Sequence, residues 1–313
     1  MAGKVGQTTT AAAVSTGGSL ISHTKLKQLY ATMLQCRLLT ERASKLRSRP
    51  RSAALYADAI GQEALATGFA VDLRPEDTIA LAPRNSVASL ARGVPLSDIV
   101  AQIYQRRSAL EQAPNIVMPT PTVDAQLSLA SGVAIANKKK KKSNVVVFFG
   151  AKATTALDCW HRALALAAKR SLPIIFVVED NPWANSIISK VSEDEKDSFA
   201  KARSYGFPII TVDANDVVAV YRVACESVER VRQGGGPVLV HGQPYRLNSP
   251  GKRSVAKPAT RRTERDPLTH MERYLRNKGL FTPSWKNQVA QEFLSKFETA
   301  LKAARKAQRS PHK

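Results

Sequence analysis

Asn144 to Asn181 reads NVVVFFGAKATTALDCWHRALALAAKRSLPIIFVVEDN. Val145-Val146-Val147-Phe148-Phe149 and Ile174-Ile175-Phe176-Val177-Val178 are short β-branched and aromatic runs, each closed by turn residues. Such runs read as strands buried on both faces. Between them Thr154 to Arg170 has the length and the Ala/Leu repetition of a helix. Strand, helix, strand over about 35 residues is a βαβ unit, which requires a parallel sheet and a right-handed crossover. Ligands of such sheets sit at the carboxyl ends of the strands. Those ends are Gly150-Ala151-Lys152 and Asp180-Asn181, so a binding site is expected there.

Working outward, two further strands are predicted at Pro208 to Val212 and Pro237 to Val240, with a helix from Asp216 to Arg232 stopped by Gly234-Gly235-Gly236. On the other side, Ala125 to Asn137 reads as a helix of small residues able to lie close on a sheet, and Thr78 to Ala82 as a short strand. Pro83 to Ser86 reads as a turn, and Ser97 as the N-cap of a helix from Asp98 to Gln105. Leu110 to Pro121, with Pro114, Pro119 and Pro121, reads as a loop. Leu26, Leu29, Tyr30, Met33, Leu34 and Leu38 recur at helical spacing and predict an amphipathic helix from Thr24 to about Leu46. Ile60-Gly61-Gln62-Glu63-Ala64 opens another, which ends before Arg74-Pro75. Two helices close the chain, from Pro267 to Lys278 and from Thr282-Pro283 onward. Alternating strands and helices predict a doubly wound α/β parallel sheet with helical additions at both termini. We expect a tail at Met1 to His23, one domain from Thr24 to Gln308 with a mobile basic loop at Arg246 to Arg265, and a tail from Arg309 to Lys313.

The chain has 47 Lys and Arg against 25 Asp and Glu, a net charge of +22. The cations are spread along the length, which reads as a basic solvated surface; nucleic-acid binding is a minor alternative. Lys138 to Lys142, between a helix and a strand, reads as a solvated turn. Cys36, Cys159 and Cys225 are isolated and suit a reducing compartment, and no run approaches the ~18 apolar residues of a membrane span. A cytoplasmic protein is expected.

The order of segments resembles the alpha subunit of thiamine-diphosphate-dependent 2-oxo acid dehydrogenases, the family of the pyruvate, branched-chain 2-oxo acid and acetoin dehydrogenases. The resemblance runs from Leu26 to Arg305. It is carried by Leu29 to Met33, Ile60 to Ala64, Leu90 to Leu96, Val212 to Val217 and Pro267 to Leu280. It implies the thiamine-diphosphate-binding fold, and it implies thiamine diphosphate and Mg as cofactors. The partners it implies are a dehydrogenase beta subunit, as two alpha and two beta, and a lipoyl acyltransferase. The reaction it implies is oxidative decarboxylation of a 2-oxo acid with the acyl group passed to a lipoyl carrier.

The family signature is Gly-Asp-Gly after one strand and Asn-Asn after the next. Gly150 matches its first glycine, but Ala151 stands for the metal aspartate and Lys152 for the second glycine. By the resemblance, Asn181 and the Trp183 backbone carbonyl are the metal ligands, and Arg84, Gly150, Ala151, Lys152, Ala153, Asn181 and Trp183 line the cofactor. The family's two active-site histidines are absent, near Ser86 and near Pro250, so no catalytic residue is assigned. His23, His161, His241, His270 and His312 read as surface or structural. With the metal carboxylate and both histidines gone, conventional catalysis is expected to be impaired. The alternative is a catalytically inactive assembly or regulatory partner that keeps the fold.

Overall fold

The computed structural model describes residues 21–45, 60–81, 86–103, 115–117, 122–179, 199–243 and 266–309. In chain order these form helix α1 (His23–Lys45), α2 (Glu63–Ala70), strand β1 (Thr78–Ala80), α3 (Ser86–Ala91), α4 (Leu96–Ile103) and β2 (Ile116–Val117). There follow α5 (Val123–Lys139), β3 (Val146–Ala151), α6 (Asp158–Lys169), β4 (Ile174–Glu179) and α7 (Ala200–Ser204). The last elements are β5 (Ile209–Asp213), α8 (Val217–Arg232), β6 (Val238–Gln243), α9 (Pro267–Asn277) and α10 (Pro283–Arg309).

The six strands make one parallel sheet in the order β2-β1-β3-β4-β6-β5. Val146 pairs with Ile174 and Ala151 with Glu179, so β3 and β4 run in register over their full length. Every residue from Val146 to Gly150 and from Ile174 to Glu179 is buried. A strand covered on both faces has no solvent side on which to place polar residues, which is why these runs are continuously apolar.

Alternate side chains enter two separate cores. Val147, Phe149, Ile175, Val177, Val238 and Val240 pack under α2, α3 and α8. Val146, Phe148, Ile174, Phe176, Val178 and Leu239 pack under α5, α6 and α7, with Trp160 against Phe176 at 5.3 Å between ring centroids. Connections moving one way along the sheet (β2 to β3, β3 to β4, β4 to β5) carry helices on the second face. Those moving the other way (β1 to β2, β5 to β6) carry them on the first. All crossovers therefore share one hand, as the twist of parallel strands demands.

The terminal helices join each other as well as the sheet. Leu26, Leu29, Tyr30 and Met33 of α1 pack with Leu268, Met271 and Leu275 of α9, and Leu39 and Ala43 with Phe293, Phe297 and Leu301 of α10. α2 lies close on α8 because Gly68 faces Val220: a Cβ at Gly68 would sit 2.5 Å from Val220 Cγ1. Helix caps follow the sequence at Asp216, which accepts from Val218 N at 2.9 Å, and at Thr282, which accepts from Trp285 N at 3.2 Å.

Three local readings change. Ser97 is not the N-cap of its helix: α4 already runs from Leu96, the Pro95 carbonyl accepts from Asp98 N at 3.0 Å, and Ser97 Oγ bonds the Asp98 side chain. Within the stretch read as a loop, Ile116–Val117 forms the edge strand β2, paired with Ile79 and Ala80. Lys138 and Lys139, placed in the turn, belong to the last turn of α5. The basic loop predicted at Arg246 to Arg265 lies outside the described residues.

Candidate functional site

After β1 the chain turns toward β2, across one face; after β3, its neighbour in the sheet, it turns toward β4 across the other. The carboxyl ends of β1 and β3 thus flank the point where the winding reverses, the place where sheets of this kind leave a crevice for a ligand. β1 delivers the chain to the segment containing Arg84, and β3 delivers Gly150-Ala151-Lys152. Gly150 is tightly held, since a Cβ there would lie 2.7 Å from the Phe148 ring carbon Cε1. Ala151 leaves the strand extended, at φ −88° and ψ 155°, and Lys152 to Ala156 form a 3-10 turn. Thr155 Oγ1 donates to the Lys152 carbonyl at 2.7 Å and Leu157 N to the Thr154 carbonyl at 3.1 Å. Thr154 and Thr155 are buried beneath this turn, which hands the chain to α6. The turn is therefore a fixed part of the fold.

Glu179 is the register partner of Ala151, buried at the carboxyl end of β4. Period-two alternation puts both on one face of the sheet. Glu179 is engaged in an interaction of its own. His241, on β6 and the register partner of Val178, is buried against Phe199 at 4.8 Å between centroids. Cys36 is buried, and burial pushes its thiol well above the ordinary range.

Of the residues expected at the cofactor, the structure describes Gly150, Ala151 and Lys152, and the backbone of Ala153, and brings them together at the end of β3. Arg84, Asn181 and Trp183 lie outside the described residues, as does Pro250; Ser86 opens α3. Among the described residues no group of three or more His, Cys, Asp or Glu side chains could hold a metal ion. Magnesium takes oxygen ligands in near-octahedral array, with one or two carboxylates from the protein. At the end of β3 it would meet a methyl group and, next along the chain, an ammonium. The Gly150-Ala151-Lys152 turn does not itself fit magnesium, and Glu179, the acid beside Ala151 in the sheet, is buried and engaged in an interaction of its own.

Sequence reading missed a buried ionic cluster beside the α2 entrance. Arg37 donates to Glu63 at 2.5 and 3.1 Å and to Asp266 at 2.7 Å, and Gly61 N donates to Glu63 at 2.9 Å. Burial works against the Arg37 charge, but Glu63 and then Asp266 outweigh it and hold the guanidinium more firmly protonated than usual. The signal was present: α2 is entirely buried, and an acid in such a helix must find a cation. The cluster fixes α1 and α2 to the start of α9.

Residues 30–313 match the family model described as dehydrogenase E1 component. The chain belongs to that family. Relatives of the E1 component include the pyruvate dehydrogenase E1 component subunit alpha of Staphylococcus aureus (strain Mu50 / ATCC 700699), 28% identical over 290 residues, which cover 90% of this chain and 78% of the relative. The corresponding subunit of Acholeplasma laidlawii is 27% identical over 256 residues, covering 79% of this chain and 74% of its own length. Subunit alpha-3, chloroplastic, of Oryza sativa subsp. japonica is 26% identical, covering 94% and 75%. The six-stranded parallel sheet flanked by helices is consistent with the α/β fold of that family. No helix among the described residues is long and apolar enough to cross a membrane.

Proposed function

We propose that the chain is an alpha-type subunit of a 2-oxo acid dehydrogenase decarboxylating component in which conventional catalysis is impaired. The observation that carries this reading is the turn Gly150-Ala151-Lys152 at the reversal point of the sheet, which has no carboxylate at the position where the family resemblance expects the metal aspartate. Thiamine diphosphate, when bound, supplies the carbanion chemistry of decarboxylation; the protein's part is to hold and orient it. Here Gly150 would offer close backbone approach, and Lys152 with Arg84 would offer two cations to a diphosphate without magnesium. The subunit would pair with a beta subunit and serve a lipoyl acyltransferase. A second reading, an inactive assembly or regulatory partner, is favoured by the contrast between the intact Arg37–Glu63–Asp266 cluster and the lost metal ligand.

Calorimetric titration of thiamine diphosphate, with and without magnesium, into the protein co-assembled with its beta subunit separates these. Micromolar binding that needs magnesium would overturn the proposed impairment. Binding indifferent to magnesium and lost in Lys152→Ala would establish the cationic site. No binding by a folded, assembled pair would establish the inactive partner.

A further inference from the structure

The amino ends of β3, β4 and β6, at the other end of the sheet from the candidate site, are tied into one surface. Lys138 Nζ crosses from α5 to the end of α6, donating to the Arg170 carbonyl at 2.5 Å and to the Ser171 carbonyl at 3.1 Å. Arg232, at the end of α8, donates to the Ser143 carbonyl at 2.7 Å. A Cβ at Gly236 would lie 3.9 Å from Ser171 Cβ, so these two turns are neighbours. Three turns, after α5, α6 and α8, are thereby held side by side.

Most of their exposed side chains are cations. Lys138 to Lys142, Lys169, Arg170 and Arg230 are exposed, and none makes a salt bridge among the described residues. Over residues 138–144, 169–173 and 229–237 the single acid is Glu229, which accepts from Gln233 at 2.6 Å. The lysines are not on a loose segment. Lys141 N donates to the Lys138 carbonyl at 3.0 Å and Lys142 N to the Asn137 carbonyl at 2.9 Å, closing the helix end. Lys141 holds the left-handed position of that closure at φ 51°, where glycine is the usual occupant. Eight like charges brought together on a rigid rim repel one another unless an anion lies across them.

We infer that this rim binds the phosphate backbone of a nucleic acid without reading its bases. The cations come from three separate turns, so they span a surface as a charged rod requires, whereas a pocket for one small anion would converge them. The rim lacks the stacking aromatics and the inserted helix that base recognition uses. It lies roughly 20 Å from the cofactor crevice along the six-residue strands, at about 3.3 Å per residue, so occupancy of one does not block the other.

The test is fluorescence anisotropy of a short mixed-sequence duplex with the full chain over a salt series. Engagement of about five phosphates gives a log–log salt slope near −4.5, at roughly −0.9 per phosphate. Reversal at the rim (Lys139→Glu, Lys140→Glu, Lys142→Glu) is expected to weaken binding more than tenfold and to flatten the slope. The same change of charge on exposed α10 residues (Lys296→Glu, Lys302→Glu, Lys306→Glu) is expected to change it little. Thermal melts check the fold, and glutamine replacements at the three rim lysines stand in if the reversal unfolds the chain. Equal losses from both triples would overturn the assignment in favour of diffuse charge. Binding of poly-glutamate but not of the duplex would overturn it in favour of an acidic protein partner.

Discussion

The two ends of the central sheet treat carboxylates in opposite ways. At the amino ends of β1 and β3, Asp77 is fully buried and accepts from Val145 N at 2.8 Å, Arg74 N at 2.8 Å and Arg232 at 2.7 and 3.1 Å. At the carboxyl end of β3 the residue at the metal-binding position is Ala151. Asp77 joins three segments that are distant in sequence, so its loss would be felt by the fold itself. A carboxylate at Ala151 would serve a ligand alone. On the proposed reading, the buried Asp77 belongs to the fold whether or not a cofactor is bound at the other end.

Breaking the maintained end has the largest expected effect. Asp77→Ala strands Arg232, whose side chain is only 8% exposed, without a counter-charge. Removing one partner of a buried pair costs about 3–5 kcal/mol, read as a lowered midpoint in urea denaturation. If the midpoint holds, the contrast between the two ends collapses. Restoring the altered end should give a gain. Ala151→Asp with Lys152→Gly supplies the missing carboxylate on an unchanged frame and is expected to raise magnesium-dependent affinity for thiamine diphosphate by about tenfold or more, equal to 1.4 kcal/mol per decade. Calorimetry on the assembled pair checks it.

A third comparison sets pH against the helical cover. Tyr30 is pushed up by burial and by its hydrogen bond to Glu272 at 2.7 Å, and Cys36 by burial and then by Glu63. Both groups stay neutral in the folded chain after the unfolded chain has released the proton, at about 8.5 for Cys and 10 for Tyr. Above those values the native state binds more protons than the unfolded one, so stability falls as pH rises; below them the contribution is constant. Urea midpoints should therefore decline beyond about pH 8.5, with a shallower decline in Cys36→Ala and Tyr30→Phe. The smallest effect is at a cap. Asp216→Ala frees Val218 N and Ala219 N at the start of α8 and should cost about 1 kcal/mol, seen as a small drop in Tm with the ligand-binding end unaffected.

Much of the fold was legible because its central strands are covered twice. Val145 to Phe149 and Ile174 to Val178 carry no polar interruption, so their identity as buried parallel strands needs no tertiary information. β2 was hidden for the opposite reason: two half-buried residues among prolines, Ile116 and Val117, have no periodicity to display. Ser97 misled because a capping residue type stood two residues too late, after Pro95 had already set the helix entrance. The end of β3 was legible as a site from topology alone, and Ala151 and Lys152 were found through family resemblance. The Arg37–Glu63–Asp266 cluster spans more than two hundred residues of sequence, and the grouping of Lys138 to Lys142 with Arg170 and Arg230 depends on which turns become neighbours. Glu63 in an apolar helix is a local sign that a cation is needed, but neither its partners nor the grouping of the rim leaves a local pattern to read.

Gly68 carries a mechanical consequence. With nothing but a hydrogen between its backbone and Val220, α2 meets α8 along a seam that allows neither sliding nor rolling without collision. The Gly61–Glu63 corner then sits at the end of a braced beam. A larger residue at position 68 would push α2 off α8 and pass that displacement to the corner.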